Sequence, residues 1–297
     1  MYIHMLASAV VTPVTPLLDP DTVAALSGDV VILDATTHLA TPADGMPYTV
    51  HPDHEGFLAG HVPGARFADL ASDLSDPAGR FAFTLPSSEA FAAAAGALGI
   101  GDGTHVVVYD NAGMVWATRV WWLLRVFGHD RVSVLDGGLR AWREAGHPIE
   151  TDEAAAPPAT TFTARFRREL VADKIDVAAL SSSAGTLVCA LDAATFRGES
   201  EVTPYSRRGR IPGSSNVPHF RLIDRASGKL LDRDRLAEKL QGSGLLDADR
   251  AVTYCGGGIA ATLPAFAAYL LTGAEVAVYD GSLSEWTADP EMPLEVG

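Results

Sequence analysis

The chain has 297 residues, of which 47% are hydrophobic and 20% charged; this ordinary balance excludes a disordered chain, a fibre and a disulfide scaffold. Twenty-two basic residues against 37 acidic ones leave a net charge of −15, which repels phosphate backbones and argues against nucleic-acid binding. Two cysteines, Cys189 and Cys255, cannot build a structural zinc site on their own, so no metal is expected.

In chain order, residues 1–9 are mildly apolar, lack a basic leader and run into Pro13 and Pro16, so no signal peptide is read. No apolar run reaches the roughly 18 residues of a membrane span. The expectation is a reduced, cytoplasmic, monomeric protein without a membrane partner. Residues 30–33, 106–109 and 132–135 are short β-branched runs that read as buried strands. Residues 88–98 and 117–127 lie between them and read as helices, the second rich in tryptophan and leucine. Strands alternating with helices imply parallel sheets covered on both faces.

The pattern then repeats. Val106-Val107-Val108-Tyr109-Asp110 has the shape of Ala251-Val252-Thr253-Tyr254-Cys255. Leu135-Asp136-Gly137-Gly138 matches Tyr279-Asp280-Gly281-Ser282, and each is followed by a tryptophan, Trp142 or Trp286. Gly60-His61-Val62-Pro63-Gly64 pairs with Gly209-Arg210-Ile211-Pro212-Gly213, and Leu33-Asp34-Ala35 with Leu191-Asp192-Ala193. Residues 263–271 match the 117–127 helix. Two homologous α/β domains follow, 1–151 and 163–297, joined by an Ala- and Pro-rich linker at 152–162. The tryptophans Trp116, Trp121, Trp122, Trp142 and Trp286 are expected in the core or the domain interface.

In parallel sheets, sites form at the C-terminal ends of strands. Asp110 and Cys255 both stand there, each before a helix. Cys255-Gly256-Gly257-Gly258-Ile259-Ala260 is a glycine-rich loop that can turn several N–H groups inward, forming an anion-binding nest at a helix N-terminus. A cysteine so placed favours its thiolate and can carry a second, charged sulfur as a persulfide. Cys189 lies within an apolar strand and is expected to be packing. A tyrosine-phosphatase loop needs an arginine where Ala261 stands; the Gly-Lys-Ser/Thr ending of a P-loop and a Cys-x-x-Cys motif are also absent.

These residues resemble the tandem-domain rhodanese-like sulfurtransferases, which include thiosulfate and 3-mercaptopyruvate sulfurtransferases. The resemblance spans the chain and rests on the Val62-Pro63-Gly64 and Ile211-Pro212-Gly213 turns, Asp136-Gly137-Gly138-Leu139-Arg140-Ala141-Trp142, Phe196-Arg197-Gly198-Glu199 and the cysteine loop. It implies two rhodanese-like domains, each a mainly parallel sheet flanked by helices, of which only the second is catalytic because Asp110 cannot carry a sulfane sulfur. It implies ping-pong transfer from a small anionic donor through a Cys255 persulfide to cyanide or a thiol, without a cofactor. It further implies that residues Gly256 to Ala260 (256–260), Arg197 and His61 contact substrate, His61 standing near the interdomain cleft with Asp53 or Glu55 to orient it. Arg207 and Arg208 are further candidates to meet an anion, and Arg210 replaces a usual histidine. Thiosulfate-type loops resemble Cys-Arg-Lys-Gly-Val-Thr, and mercaptopyruvate-type loops resemble Cys-Gly-Ser-Gly-Val-Thr with a serine assisting proton transfer. Here the cations are missing, Gly257 replaces the serine and Ala260 the threonine, while Thr195 replaces an arginine of some members. Mercaptopyruvate therefore stands ahead of thiosulfate, with a weakly active or non-catalytic sulfur-relay module as the alternative.

Overall fold

A computed structural model describes residues 14–40, 48–152, 157–183 and 185–297. The N-terminal stretch read for a leader, and residues 153–156 of the expected linker, lie outside the described residues.

The first half runs β1 (Leu17–Leu18), α1 (Pro20–Ala24), β2 (Val30–Asp34), β3 (Thr37–Ala40), β4 (Thr49–Pro52), α2 (His54–Ala59), β5 (Arg66–Phe67), α3 (Ser88–Ala97), β6 (His105–Tyr109), α4 (Val115–Val126), β7 (Val132–Leu135) and α5 (Gly138–Glu144). The second runs β8 (Val171–Ala172), α6 (Lys174–Ser182), β9 (Thr186–Cys189), α7 (Ala193–Phe196), β10 (Ser215–Asn216), α8 (Arg233–Leu240), β11 (Ala251–Tyr254), α9 (Thr262–Thr272), β12 (Ala277–Tyr279) and α10 (Ser282–Ala288). Local chemistry sets the helix starts. Asp19, Ser87 and Asp232 each accept an N–H of the first turn they cap, and Asp173 forms a capping box with Asp176. Every residue of β6 and β11 is buried, as a strand covered on both faces requires.

Each half forms one five-stranded parallel sheet, ordered β1-β7-β6-β2-β5 and β8-β12-β11-β9-β10. The two orders are the same path traced twice, which is the repeat read in the sequence. One landmark is displaced. Asp34 pairs in register with Tyr109 and Cys189 with Tyr254, so the structural counterpart of Asp34 is Cys189, not Asp192. The Leu-Asp-Ala words match by coincidence, three residues out of step. Asp34 ends its strand, whereas Asp192 lies beyond its strand and caps α7 by accepting the N–H groups of Ala194 and Thr195. By the same register Cys189 is the last residue of β9 rather than a mid-strand residue.

The β3–β4 hairpin is antiparallel and has no counterpart among the described residues of the second half. Residues 160–167 lie along the first half. Thr160 N–H donates to Gly96 O, Arg165 N–H to Phe127 O and Arg167 N–H to Val126 O, while Phe162 packs edge-on against Phe91.

The halves meet through α4 and α9. Trp121 packs edge-on against Phe266 at 4.8 Å, and the Thr118 and Thr262 hydroxyls bond at 2.8 Å. Two matched clasps flank this seam: Leu85 N–H donates to Asp280 Oδ2 at 2.9 Å, and Leu230 N–H to Asp136 Oδ1 at 2.8 Å. Trp121→Ala removes the aromatic centre of the seam and is expected to lower stability by about 3–5 kcal/mol in urea unfolding; a loss under about 1 kcal/mol would show that the helix pair is not what joins the halves.

Candidate active site

Cys255 follows the last residue of β11 and is 2% exposed. Its loop is tied to the β12–α10 turn. The Cys255 and Gly258 N–H groups donate to Ser282 Oγ at 3.0 and 3.2 Å, and Ser282 Oγ donates to Tyr279 O at 2.7 Å. Ser284 donates from its N–H and its hydroxyl to Gly256 O at 2.9 and 2.8 Å. Gly258 takes φ +78, the left-handed geometry that directs the chain into α9. The N–H groups of Gly256, Gly257, Ile259 and Ala260 donate to no protein acceptor among the described residues.

The first half holds the same loop in a different state. Asp110 occupies the position of Cys255, and Gly113 has φ +89 where Gly258 has +78. The Asp110 carboxylate turns back into the loop and accepts the N–H groups of Ala112 (2.7 Å), Met114 (3.0 Å), Trp116 (2.9 Å) and Ala117 (2.8 Å). Burial pushes its pKa up, against the four donors that favour the anion. This loop geometry therefore closes several N–H groups round a carboxyl acceptor, and in the first half that acceptor is part of the protein.

Ser282 marks a second divergence. It is fully buried with φ +48, a conformation that costs a non-glycine residue energy. The matching residue is Gly138, with φ +59. The hydroxyl gained by accepting that strain is the one that holds the Cys255 and Gly258 N–H groups. In the sequence its only signal is the serine that breaks the Asp-Gly-Gly match.

Arg119 on α4 reaches the loop from the first half and is wholly buried. It pairs with Asp280 at 2.7 Å, donates to Gly258 O at 3.2 Å and Phe83 O at 2.7 Å, and lies over the Trp122 ring. Its charge is consumed by Asp280. Two tyrosines crowd the loop glycines. A Cβ on Gly256 would collide with the Tyr205 hydroxyl, and a Cβ on Gly257 would lie 2.7 Å from the Tyr48 hydroxyl. Nothing in the spacing of the sequence marks Arg119, Tyr48 or Tyr205, because only the fold joins them to the loop.

The other arginines are engaged elsewhere. Arg197, 44% exposed, forms a two-pronged pair with Glu199 at 2.8 and 2.7 Å. Arg207 donates to the Trp286 and Thr287 carbonyls in the last turn of α10 and to the Asp289 and Met292 carbonyls beyond it. Arg208 donates to Glu201 O. Arg210 stacks on Phe196 and pairs with Glu295. His61 is not gathered round the cysteine. It is wholly buried, its Nδ1 bonded to Phe57 O at 2.8 Å and its ring stacked on Phe57 at 4.0 Å. Asp53 caps α2 and pairs with His38 rather than His61. Cys189 is buried in the second-half core, and burial pushes its thiol up to about 12.

The family of the rhodanese-like domain matches residues 19–145 and 182–289. The chain is 36% identical over 241 residues to the 3-mercaptopyruvate sulfurtransferase of Escherichia coli strain K12, covering 80% of this chain and 84% of that protein. It is 38% identical over 245 residues to the thiosulfate sulfurtransferase of Cricetulus griseus, covering 80% and 81%. The crystal structure of SseA from Escherichia coli, a 3-mercaptopyruvate sulfurtransferase, superposes with a TM-score of 0.77 at 32% identity, over 91% of this chain and 99% of that one.

Asp110→Ala strands four N–H donors in the interior and is expected to cost on the order of 3 kcal/mol, read as a shift of the urea midpoint at constant m-value. An alkylating agent at pH 7 to 9 is expected to label Cys255 and leave Cys189 as a thiol; equal labelling, mapped by peptide mass, would contradict the contrast between the two sites.

Proposed function

The chain belongs to the rhodanese-like sulfurtransferases, and we propose that Cys255 is the residue that carries the transferred sulfur, as a persulfide held in the N–H nest of 256–260. One observation carries this reading: in the first half the same loop closes four N–H groups round the carboxylate of Asp110, while in the second half a sulfur takes the place of that carboxylate. Clustered N–H donors suit an anionic acceptor, and a terminal persulfide sulfur on Cys255 is such an acceptor.

The thiolate attacks the outer sulfur of a donor, the bond from that sulfur to the rest of the donor breaks, and its electron pair leaves with the donor remnant. Cyanide or a thiol then takes the sulfur and restores the thiolate. A donor of the 3-mercaptopyruvate kind fits ahead of thiosulfate. A dianion calls for cations, and Arg119, Arg197, Arg207 and Arg208 each have a partner within the protein. Arg197 and His61 are accordingly left out of the proposed donor contacts, which consist of the loop N–H groups and the hydroxyls beside them. A free cysteine suits a reducing compartment such as the cytoplasm. The comparisons with sulfurtransferases favour an enzyme over a non-catalytic relay module.

Cyanide-dependent thiocyanate formation with 3-mercaptopyruvate and with thiosulfate tests the proposal. Cys255→Ser is expected to remove turnover with either donor by several orders of magnitude, and to remove the adduct of one sulfur atom seen by intact mass in the wild type. Turnover surviving in Cys255→Ser would sink the assignment.

A further inference from the structure

The chemistry just proposed leaves a proton unaccounted for. When the Cys255 thiolate takes the sulfur from a 2-oxo thiol donor, the carbon–sulfur bond breaks and its electron pair passes to the carbon as an enolate. That enolate must gain a proton to leave as a stable 2-oxo acid. The new persulfide, Cys255–S–SH, must lose the former thiol proton to become the anion the nest favours. The net change is transfer of one proton from sulfur to carbon, with no oxidant or external reductant. The loop has no hydroxyl for this. Gly257 and Ala260 are bare, Ser282 already donates to Tyr279 O and Ser284 to Gly256 O.

Tyr48 supplies one. It precedes β4 in the hairpin found only in the first half, and its hydroxyl lies beside Gly257, 2.7 Å from where a side chain on that residue would begin. It is half-buried and within electrostatic range of Cys255. We propose that Tyr48 is the proton donor to the enolate: its O–H gives the proton to the leaving carbon acid, and the persulfide proton returns to the phenolate oxygen. This rests on the Cys255 carrier reading and adds to it the group that makes a carbon leaving group possible. Burial and the nearby Cys255 push the Tyr48 phenol up to about 12. It is therefore protonated throughout the neutral range and acts as an acid, not as a standing base. Tyr205 has its phenol pushed well above its ordinary value by burial, and its hydroxyl crowds Gly256 rather than Gly257.

The two donors separate this role from a structural one. Thiosulfate releases sulfite, which is stable as an anion and needs no proton, whereas mercaptopyruvate releases an enolate. Tyr48→Phe keeps the ring and removes only the hydroxyl. Its expected effect is a fall in kcat of about 100-fold with 3-mercaptopyruvate, with little change in the rate at which thiosulfate or a polysulfide sulfurates Cys255, followed by mass in single turnover. An equal loss with all donors would show a packing role and overturn the proposal, as would no loss with mercaptopyruvate. Failure of the wild type to become sulfurated by any donor would instead defeat the carrier reading, and the Tyr48 role with it.

Discussion

The site depends on a buried guanidinium. Arg119 is carried by α4 of the first half, yet its partners Asp280 and Gly258 O belong to the second. A charge this deep needs a counter-ion, and Arg119 finds Asp280 only when the two halves are docked. Docking in turn sets the cysteine loop, because Arg119 holds Gly258 O from below while Ser282 holds its N–H. The Leu85 clasp onto the other oxygen of Asp280 closes the same junction. The cysteine loop is thus held by both halves, although its residues come from one.

Duplication provides an internal comparison. Two loops with matching turn glycines and matching strands diverged at a few side chains. In one, an aspartate satisfies the nest from within and the loop is closed to ligands. In the other, the acceptor is withdrawn, a strained serine takes over part of the backbone bonding, and the N–H groups of Gly256, Gly257, Ile259 and Ala260 are left without a protein acceptor among the described residues. The cost of that arrangement is offset by packing on every side: the loop glycines are buried, and α9 behind them is apolar along most of its length.

Much of this was legible in the sequence. The repeat, the parallel sheets, the strand-end position of Cys255 and the special character of its glycines follow from local patterns whose periods and turn chemistry are short-range. What was not legible came from long-range approach. Tyr48 and Tyr205 reach the loop through folds of the chain that no spacing rule encodes. Arg207 looked like a substrate cation because it stands in a basic cluster, but four carbonyls at the end of α10 claim it. His61 was drawn toward the cleft by resemblance, whereas the stacking of Phe57 and its carbonyl hold it in the first-half core. The misplaced Leu-Asp-Ala match shows the same limit: identical words on either side of a strand end differ in role when the register shifts by three.

The crowding at Gly257 has an evolutionary consequence. A side chain there and the Tyr48 hydroxyl claim the same volume, so the two positions, 209 residues apart in the chain, cannot drift independently. A lineage that gains a bulkier residue in the loop must also retract or lose the tyrosine of the hairpin, and one that keeps the tyrosine where it stands favours glycine. The history of this loop is then a matter of order, in which a change in one half of the duplicated chain sets which changes the other half can accept.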